Sequence, residues 1–306
     1  MSPASTLSST VISAAPIVLP ASPERGQSIH VRVTAPLTGT NLPVIVFSHG
    51  FSQSMTGYAP LVDHWAANGF VVIQPTHLDS RTLALPQDDP RQPQIWRHRI
   101  SDLSVSIDQL DAIEAAVPGL AGRVDHERIA AAGHSWGATT VSFLLGVRTV
   151  DDAGLGEDLK NDRVRAGVLL AAPGTGGENL TPFAKQHFPF MTNTFDAMTT
   201  PTLVVAGDKD QSFLSEVRGP DWFTDAYHLA PGADALLTLF GAEHSLGGIT
   251  GYASTETTDE NPAAVALIQQ TSTAYLRSAL GIDPEDWKQL QAATTPAGRL
   301  VTEARD

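Results

Sequence analysis

The chain has no cysteine among its 306 residues. Disulfide bonds, thiolate nucleophiles and cysteine-based metal sites are therefore excluded. The histidines, including His77 and His98, show no H-E-x-x-H or comparable ligand spacing, so we expect no metal.

Basic residues are scarce, with 19 Lys and Arg against 33 Asp and Glu and a net charge of −14. This balance disfavours nucleic acid and anionic membrane surfaces as partners. The N-terminus lacks a basic region followed by a long apolar run, and the apolar stretch 11–16 is too short for a signal peptide or a membrane span. We therefore expect a cytoplasmic protein, with residues 1–25 forming a flexible or edge-packing arm.

Short apolar runs alternate with helical patterns along the chain. Runs that are apolar throughout indicate strands buried on both faces, as in parallel sheets. The sequence predicts strands at 28–35, 44–48, 70–74, 129–132, 166–172, 202–206 and 236–240 and helices at 60–68, 100–117, from 138 onward and at 262–280. The fold class is thus α/β, a doubly wound and mostly parallel sheet flanked by helices.

No internal repeat, linker or large cap domain is visible, so residues 1–306 are expected to form one domain. Residues 77–99 show no periodicity and contain several prolines, which predicts a long loop. A loop of this length inside a compact domain is usually functional or mobile.

The pentapeptide Gly133-His-Ser-Trp-Gly137 lies between a predicted strand and a predicted helix. In this context a G-x-S-x-G pattern indicates a tight turn that holds Ser135 in a strained conformation with its hydroxyl exposed. The positions two before and two after the serine must be very small, because neighbouring backbone passes close by. Ser135 is therefore the candidate nucleophile.

A serine nucleophile needs a base, a group that orients the base, and donors for an oxyanion. In open parallel sheets, functional groups gather past the carboxyl ends of the strands. Asp208 and Asp210 follow one predicted strand, His244 follows the last, and His49-Gly-Phe51 follows the run at 44–48. The order serine, aspartate, histidine agrees with that of strand–turn–helix hydrolases.

At this point the chain resembles the α/β-hydrolases, and among them the chlorophyllase, dienelactone-hydrolase and platelet-activating-factor acetylhydrolase-like esterases. The motifs are Phe47-Ser-His-Gly-Phe51, Gly69-Phe-Val-Val, Gly-His-Ser-Trp-Gly and Gly-Ala-Glu-His, within residues 40–280. The resemblance implies a serine hydrolase of small carboxylic esters that uses an acyl-enzyme and no cofactor.

Carried over by position, the resemblance makes Ser135 the nucleophile and His244 the general base. The Gly-x-x-Asp turn of related hydrolases favours Asp210 over Asp208 as the residue that orients His244. The backbone N–H groups of Phe51 and Trp136 would form the oxyanion hole.

The side chains that border the acyl site are expected to be apolar. Phe51 and Trp136 should line it, with Trp96 extending the wall, and we expect apolar substrates to be favoured. The aromatic residues within 183–195 fit either a pocket wall or ordinary core packing. Two further histidines are interpreted as structural, His134 pointing away from the pocket and His49 bracing the oxyanion loop.

Two alternatives to ester hydrolysis remain open. The same triad also serves hydrolysis of lactones or amides, and perhydrolysis. A non-catalytic binding protein on this fold is the alternative from another class, because a fold does not determine a function. The sequence predicts neither the acyl and alcohol groups accepted nor the oligomeric state.

Overall fold

A large sheet organises the part of the chain that the computed structural model describes, residues 9–251, 258–291 and 295–302. The strands in this part, in chain order, are β1 (Val11–Leu19), β2 (Ile29–Pro36), β3 (Leu42–Ser48), β4 (Val71–Pro75), β5 (Val124–His134), β6 (Arg148–Asp151), β7 (Gly154–Leu155), β8 (Val164–Leu170), β9 (Asn193–Thr194), β10 (Thr202–Gly207), β11 (Ala233–Leu239) and β12 (Gly298–Thr302). Nine of these described strands form the sheet in the order β1-β2-β4-β3-β5-β8-β10-β11-β12, and β7, β6 and β9 form a small second sheet.

The six central strands, from β4 to β11, pair in parallel, and antiparallel strands close both edges. Every residue of β3, β4 and β10 is buried, so both faces of the sheet are covered. Apolar side chains fill these positions because burying one Val, Leu or Ile contributes roughly 1.5–3 kcal/mol. The predicted mostly parallel, doubly wound sheet is confirmed.

Helices flank the sheet in the described part of the chain. They are α1 (Ala59–Ala67), α2 (Ile95–Asp108), α3 (Leu110–Ala116), α4 (Trp136–Leu145), α5 (Pro182–His187), α6 (Asp225–Leu229), α7 (Pro262–Ala279) and α8 (Glu285–Gln291). Between β8 and β10 the described chain holds only short elements and no separate cap domain, as expected. No described helix has the length and apolar character needed to cross a membrane.

The helix predicted at 100–117 is two helices, and the first begins earlier than expected. Helix α2 starts at Ile95, inside the predicted loop, and α3 follows after a break at Gln109. The pattern was misleading because the buried face of α2 carries Arg99 and Asp102, both fully buried. Charged residues at buried positions conceal the apolar stripe by which a helix is recognised.

The edge strands were not predicted. Within the expected N-terminal arm, β1 pairs antiparallel with β2, and at the opposite edge β12 pairs with β11. Most residues of β1 are partly or fully exposed. Ser13 and Pro16 interrupt the apolar residues of β1, so it lacks the continuous run that marks the central strands.

Candidate active site

Ser135 occupies the sharp turn between β5 and α4. Its backbone has φ 56° and ψ −123°, a conformation that L-residues rarely adopt. The surrounding structure holds it there, since the Ser135 N–H donates to the carbonyl of Leu170 on β8 at 2.9 Å. Local strain of this kind costs on the order of 1–3 kcal/mol and concentrates at functional sites.

The two glycines of the pentapeptide are required by the close approach of backbone. A Cβ on Gly133 would lie 2.3 Å from the carbonyl oxygen of Gly137. A Cβ on Gly137 would lie 2.0 Å from the carbonyl oxygen of Ser48, at the end of β3. Any larger residue would push α4 away from β3 and β5, so the spacing of the motif follows from the geometry of the turn.

Ser135, His244 and Asp210 form one hydrogen-bonded line. The Ser135 hydroxyl is 2.7 Å from Nε2 of His244. Nδ1 of His244 lies 3.0 Å from both carboxylate oxygens of Asp210. The structure thus brings together the three residues that the sequence analysis selected, in the arrangement that acyl-transfer chemistry needs.

The two candidate aspartates have different partners. Asp210 is fully buried beside the imidazole. Asp208 instead accepts a hydrogen bond from the N–H of Gly241 at 2.7 Å and braces the turn. Burial raises the pKa of Asp210, and its hydrogen bond to His244 opposes that rise.

His134 connects the loops on the two sides of Ser135. Its Nε2 donates to the backbone carbonyl of His244 at 2.7 Å, and its Nδ1 accepts from the Tyr58 hydroxyl at 2.9 Å. The same hydroxyl accepts the N–H of Gly50 at 2.9 Å. Burial lowers the pKa of His134 to about 3, so the ring stays neutral and keeps one donor and one acceptor. Its location agrees with the structural interpretation of this residue.

The two expected oxyanion donors border the same space as Ser135. Trp136 is the first residue of α4, so its N–H has no acceptor within the helix. The start of a helix also carries a partial positive charge that favours an anion. Phe51 lies in the loop after β3, and its ring centroid is 5.4 Å from that of Trp136.

An apolar cleft opens beside the serine and has an empty volume of about 750 Å³, including its mouth. Phe51 and Trp136 line it as expected, and aromatic residues from 188–190 form one wall. The complete lining is Phe51, Ser135, Trp136, Thr139, Pro173, Phe188, Phe190, Met191, Gln211, Ser212, Phe213, Leu214 and His244. The cleft therefore places the Ser135 hydroxyl at the edge of an apolar surface.

The expectation that Trp96 lines the pocket is wrong. Trp96 is absent from the lining and stacks on Phe190, with 5.4 Å between ring centroids and 14° between ring planes. Phe190 in turn stacks on Trp136. Trp96 thus supports the wall from behind, because α2 begins far enough upstream to pack it against α4.

The loop that follows β10 contributes residues that the sequence analysis missed. Gln211, Ser212, Phe213 and Leu214 come directly after Asp210 and line the cleft. Phe213 is 75% exposed. The sequence did hold a signal for these residues, which is their position directly after Asp210. A loop that brings the candidate acid to His244 also passes the opening of the cleft.

A second serine–histidine–aspartate line lies beneath the site. The Ser48 hydroxyl is 3.0 Å from Nε2 of His77, whose Nδ1 is 2.9 Å from Asp102. Arg25 binds the same carboxylate at 2.6 Å. All three members of the line are buried, so no substrate reaches Ser48 and the arrangement supports the structure.

Asp111, Glu114 and His126 form the group of metal-ligating side chains found in the described part of the chain. The two carboxylates lie on α3, and His126 lies near the start of β5, at the end of that strand opposite Ser135. Glu114 already accepts the N–H of Gly122 and bonds His126. These bonds explain the group as a hydrogen-bonded cluster, and we assign it no metal.

The buried histidines predict that stability falls on acidification. Burial lowers the pKa of His49 to about 4, of His134 to about 3, and of His77 well below its usual range. Below about pH 6.5 the unfolded chain binds protons at these positions that the folded chain does not, so stability is lost as the pH falls. Burial raises the pKa of Asp102 to about 7 and offsets part of this loss.

We expect the free energy of unfolding to decrease by on the order of 1–2 kcal/mol per pH unit between about pH 6 and pH 5. Urea unfolding at pH 7.5, 6 and 5 measures it. A free energy that stays constant or rises on acidification would contradict the neutral state of the three buried rings.

Fold and site together define the class. A mostly parallel sheet with a serine on a strand–turn–helix elbow, followed by an aspartate after β10 and a histidine after β11, is the arrangement of the α/β-hydrolase fold. Residues 12–160 match the family model for chlorophyllase. This segment contains Phe51 and Ser135 and ends before Asp210 and His244.

A second comparison shows similarity over a larger part of the chain. The chain is 23% identical to bovine platelet-activating factor acetylhydrolase over 301 aligned residues. The alignment covers 83% of this chain and 61% of that protein, so the chain spans less than two thirds of the relative's length. Both comparisons indicate serine esterases of the α/β-hydrolase type, in agreement with the resemblance read from the motifs.

Proposed function

We propose that the protein hydrolyses carboxylic esters through the triad Ser135, His244 and Asp210. The observation that carries the proposal is the continuous line of hydrogen bonds, 2.7 Å from serine to imidazole and 3.0 Å from imidazole to carboxylate, at the edge of an accessible cleft. Similarity to chlorophyllase and to an acetylhydrolase supports an ester as the substrate.

The reaction follows from the geometry. His244 Nε2 accepts the Ser135 proton as the oxygen attacks the acyl carbon, and the buried Asp210 carboxylate stabilises the resulting imidazolium. The N–H groups of Phe51 and Trp136 hold the oxyanion, and His244 then protonates the leaving alcohol. Water repeats the cycle on the acyl-enzyme and releases the acid. Removing one oxyanion donor lowers kcat by a factor of about 10²–10³.

The apolar wall of the cleft favours the binding of apolar substrates. Phe188, Phe190, Met191 and Leu214 line one continuous surface, and Phe213 stands at its opening. The ionisable lining residue in this cleft is the triad histidine. A charged acyl group would lose hydration here without finding a partner, which costs free energy. We therefore propose that an aliphatic or aromatic acyl or alcohol group occupies the wall.

A series of p-nitrophenyl esters of increasing chain length tests the proposal. We expect hydrolysis that improves from the acetyl ester to longer chains, because the wall of the cleft is apolar. Chelators should leave the rate unchanged, because the mechanism uses no metal. No hydrolysis at any chain length, or loss with EDTA that a divalent metal restores, would contradict the proposed function.

The ring of Trp136 predicts a change in chain-length preference. It stacks 5.8 Å from Phe190 and 5.4 Å from Phe51, so Trp136→Ala should widen the cleft while keeping its own backbone N–H. We expect the preferred ester to become longer by several carbons, with a smaller effect on the best rate. The matched control is Trp287→Ala, because Trp287 packs on Tyr275 of α7. An unchanged profile would remove the Trp136 ring from the binding surface.

A further inference from the structure

Arg99 is a fully buried guanidinium that the triad does not use. It lies on α2 and contacts three different parts of the chain. Nη1 donates to Asp79 at 2.6 Å, Nη2 donates to the His49 carbonyl and to the Ser48 hydroxyl, and Nε donates to the Thr140 hydroxyl at 3.0 Å. A buried ion pair is weak evidence for stability by itself. The role of Arg99 therefore depends on which parts of the chain its contacts hold.

Two of these contacts hold the loop that presents the Phe51 N–H. Arg99 fixes the carbonyl of His49, two residues before Phe51. Asp79, bound to Arg99, accepts the N–H of Ser52 at 2.9 Å, one residue after Phe51. The peptide of Phe51 is therefore held from both sides by one ion pair.

The ion pair is charged under the conditions in which the protein is folded. Burial alone would raise the pKa of Asp79, but the Arg99 guanidinium and the Ser52 N–H lower it below its ordinary value. Asp79 therefore remains a carboxylate, and the two contacts to the loop are charge-assisted.

The remaining contacts reach the other half of the predicted oxyanion hole. The Thr140 hydroxyl that accepts from Arg99 itself donates to the carbonyl of Trp136 at 2.9 Å. The guanidinium carbon also lies 5.0 Å from the centroid of the Trp136 ring. One planar group thus bonds the loop after β3 and the first turn of α4 at the same time.

We propose that Arg99, with Asp79, is a positioning residue that sets the separation of the Phe51 and Trp136 N–H groups. The inference rests on the proposed function. Oxyanion donors act only when they lie about 2.7–3.1 Å from the position of the developing charge. Without the forked contacts of the Arg99 guanidinium, the loop after β3 is no longer held and the Phe51 N–H moves. Binding of the transition state then weakens more than binding of the ester.

The test compares Arg99→Lys, Asp79→Asn and the control Arg163→Met. Lysine keeps the charge but cannot make the forked contacts. Arg163 pairs with the exposed Asp108 at the end of α2, so its loss controls for the removal of one charge. We expect kcat to fall about 10- to 100-fold in the first two variants, which is less than the loss of about 10²–10³ for removing one oxyanion donor, because the donor is displaced and not deleted. KM should change less than threefold, and the control should keep its activity.

Affinity for a trifluoromethyl ketone of the preferred chain length supplies the second readout. Its tetrahedral adduct carries the oxyanion, so its binding should weaken in parallel with the loss in kcat/KM. The acid limb of the pH–rate profile should stay in place, because His244 and Asp210 are untouched. Arg99→Lys with kcat and ketone affinity within threefold of the natural chain, whatever its melting temperature, would overturn the inference.

The same experiment separates this inference from the proposed function. If the natural chain hydrolyses esters and binds the ketone at Ser135, the triad proposal holds regardless of the variants. If the variants lose kcat but bind the ketone as tightly as the natural chain, Arg99 has a role other than positioning the donors and the inference is wrong. Asp79→Asn gives an independent answer should Arg99→Lys fold poorly.

Discussion

Ser135→Ala is expected to lower kcat by on the order of 10⁶, the loss seen when a triad serine is removed from a related mechanism. The Ser135 hydroxyl lies 2.7 Å from Nε2 of His244, and in the proposed mechanism the imidazole accepts its proton. Without it, no acyl-enzyme forms and only the oxyanion donors and the cleft remain. Binding of an unreactive substrate analogue should be nearly unchanged, since the deleted oxygen occupies one edge of the cleft.

The measurement is ester hydrolysis together with intact mass after reaction with a fluorophosphonate. One adduct should form and map to Ser135, while Ser48 stays unmodified because it is fully buried. Ser142→Ala is the matched control, since its hydroxyl bonds the Thr139 carbonyl within the same helix. An adduct at another residue, or a fully active Ser135→Ala variant, would contradict the serine-hydrolase proposal.

The sequence was informative where local chemistry determines structure. Central strands carry nearly continuous apolar runs because helices cover both of their faces, so β3, β8 and β10 were predictable from these runs. The elbow was predictable because only glycine fits at 133 and 137. Topology then places the ends of parallel strands together, and this brought Asp210 and His244 to the serine.

Other features depend on contacts that no local pattern encodes. Arg99 and Asp102 look like surface residues of an amphipathic helix, yet they are buried because distant parts of the chain supply their partners. Trp96 lies one layer behind the cleft because Phe190 packs in front of it. The position of Phe213 depends on the path of an irregular loop. Such cases need the tertiary structure.

The segment 77–99 shows how a stretch without periodicity can support the candidate site. Residues 77–99 were predicted to be a loop with a functional or mobile role. In the structure this segment supplies Asp79, which bonds the loop of Phe51, and it leads into α2 with Arg99. Its irregular backbone therefore carries buried polar groups that meet the end of β3. We infer that the absence of periodicity reflects this role in supporting the site.

Asp210→Asn is expected to lower kcat by up to about 10⁴ while the fold is kept. The Asp210 carboxylate accepts from Nδ1 of His244 with both oxygens at 3.0 Å and is fully buried. An asparagine amide offers a donor at this place, which favours the imidazole tautomer with its proton on Nε2. That tautomer cannot accept the proton of Ser135, and the imidazolium loses its counter-charge.

The matched control is Asp208→Asn, two residues earlier in the same turn. Asp208 bonds the N–H of Gly241 rather than the imidazole, so its replacement should lower the melting temperature by a few degrees and leave kcat within a few-fold of the natural chain. Steady-state kinetics and thermal unfolding of both variants make the comparison. The reverse result, with Asp208→Asn nearly inactive at an unchanged melting temperature and Asp210→Asn active, would transfer the orienting role to Asp208.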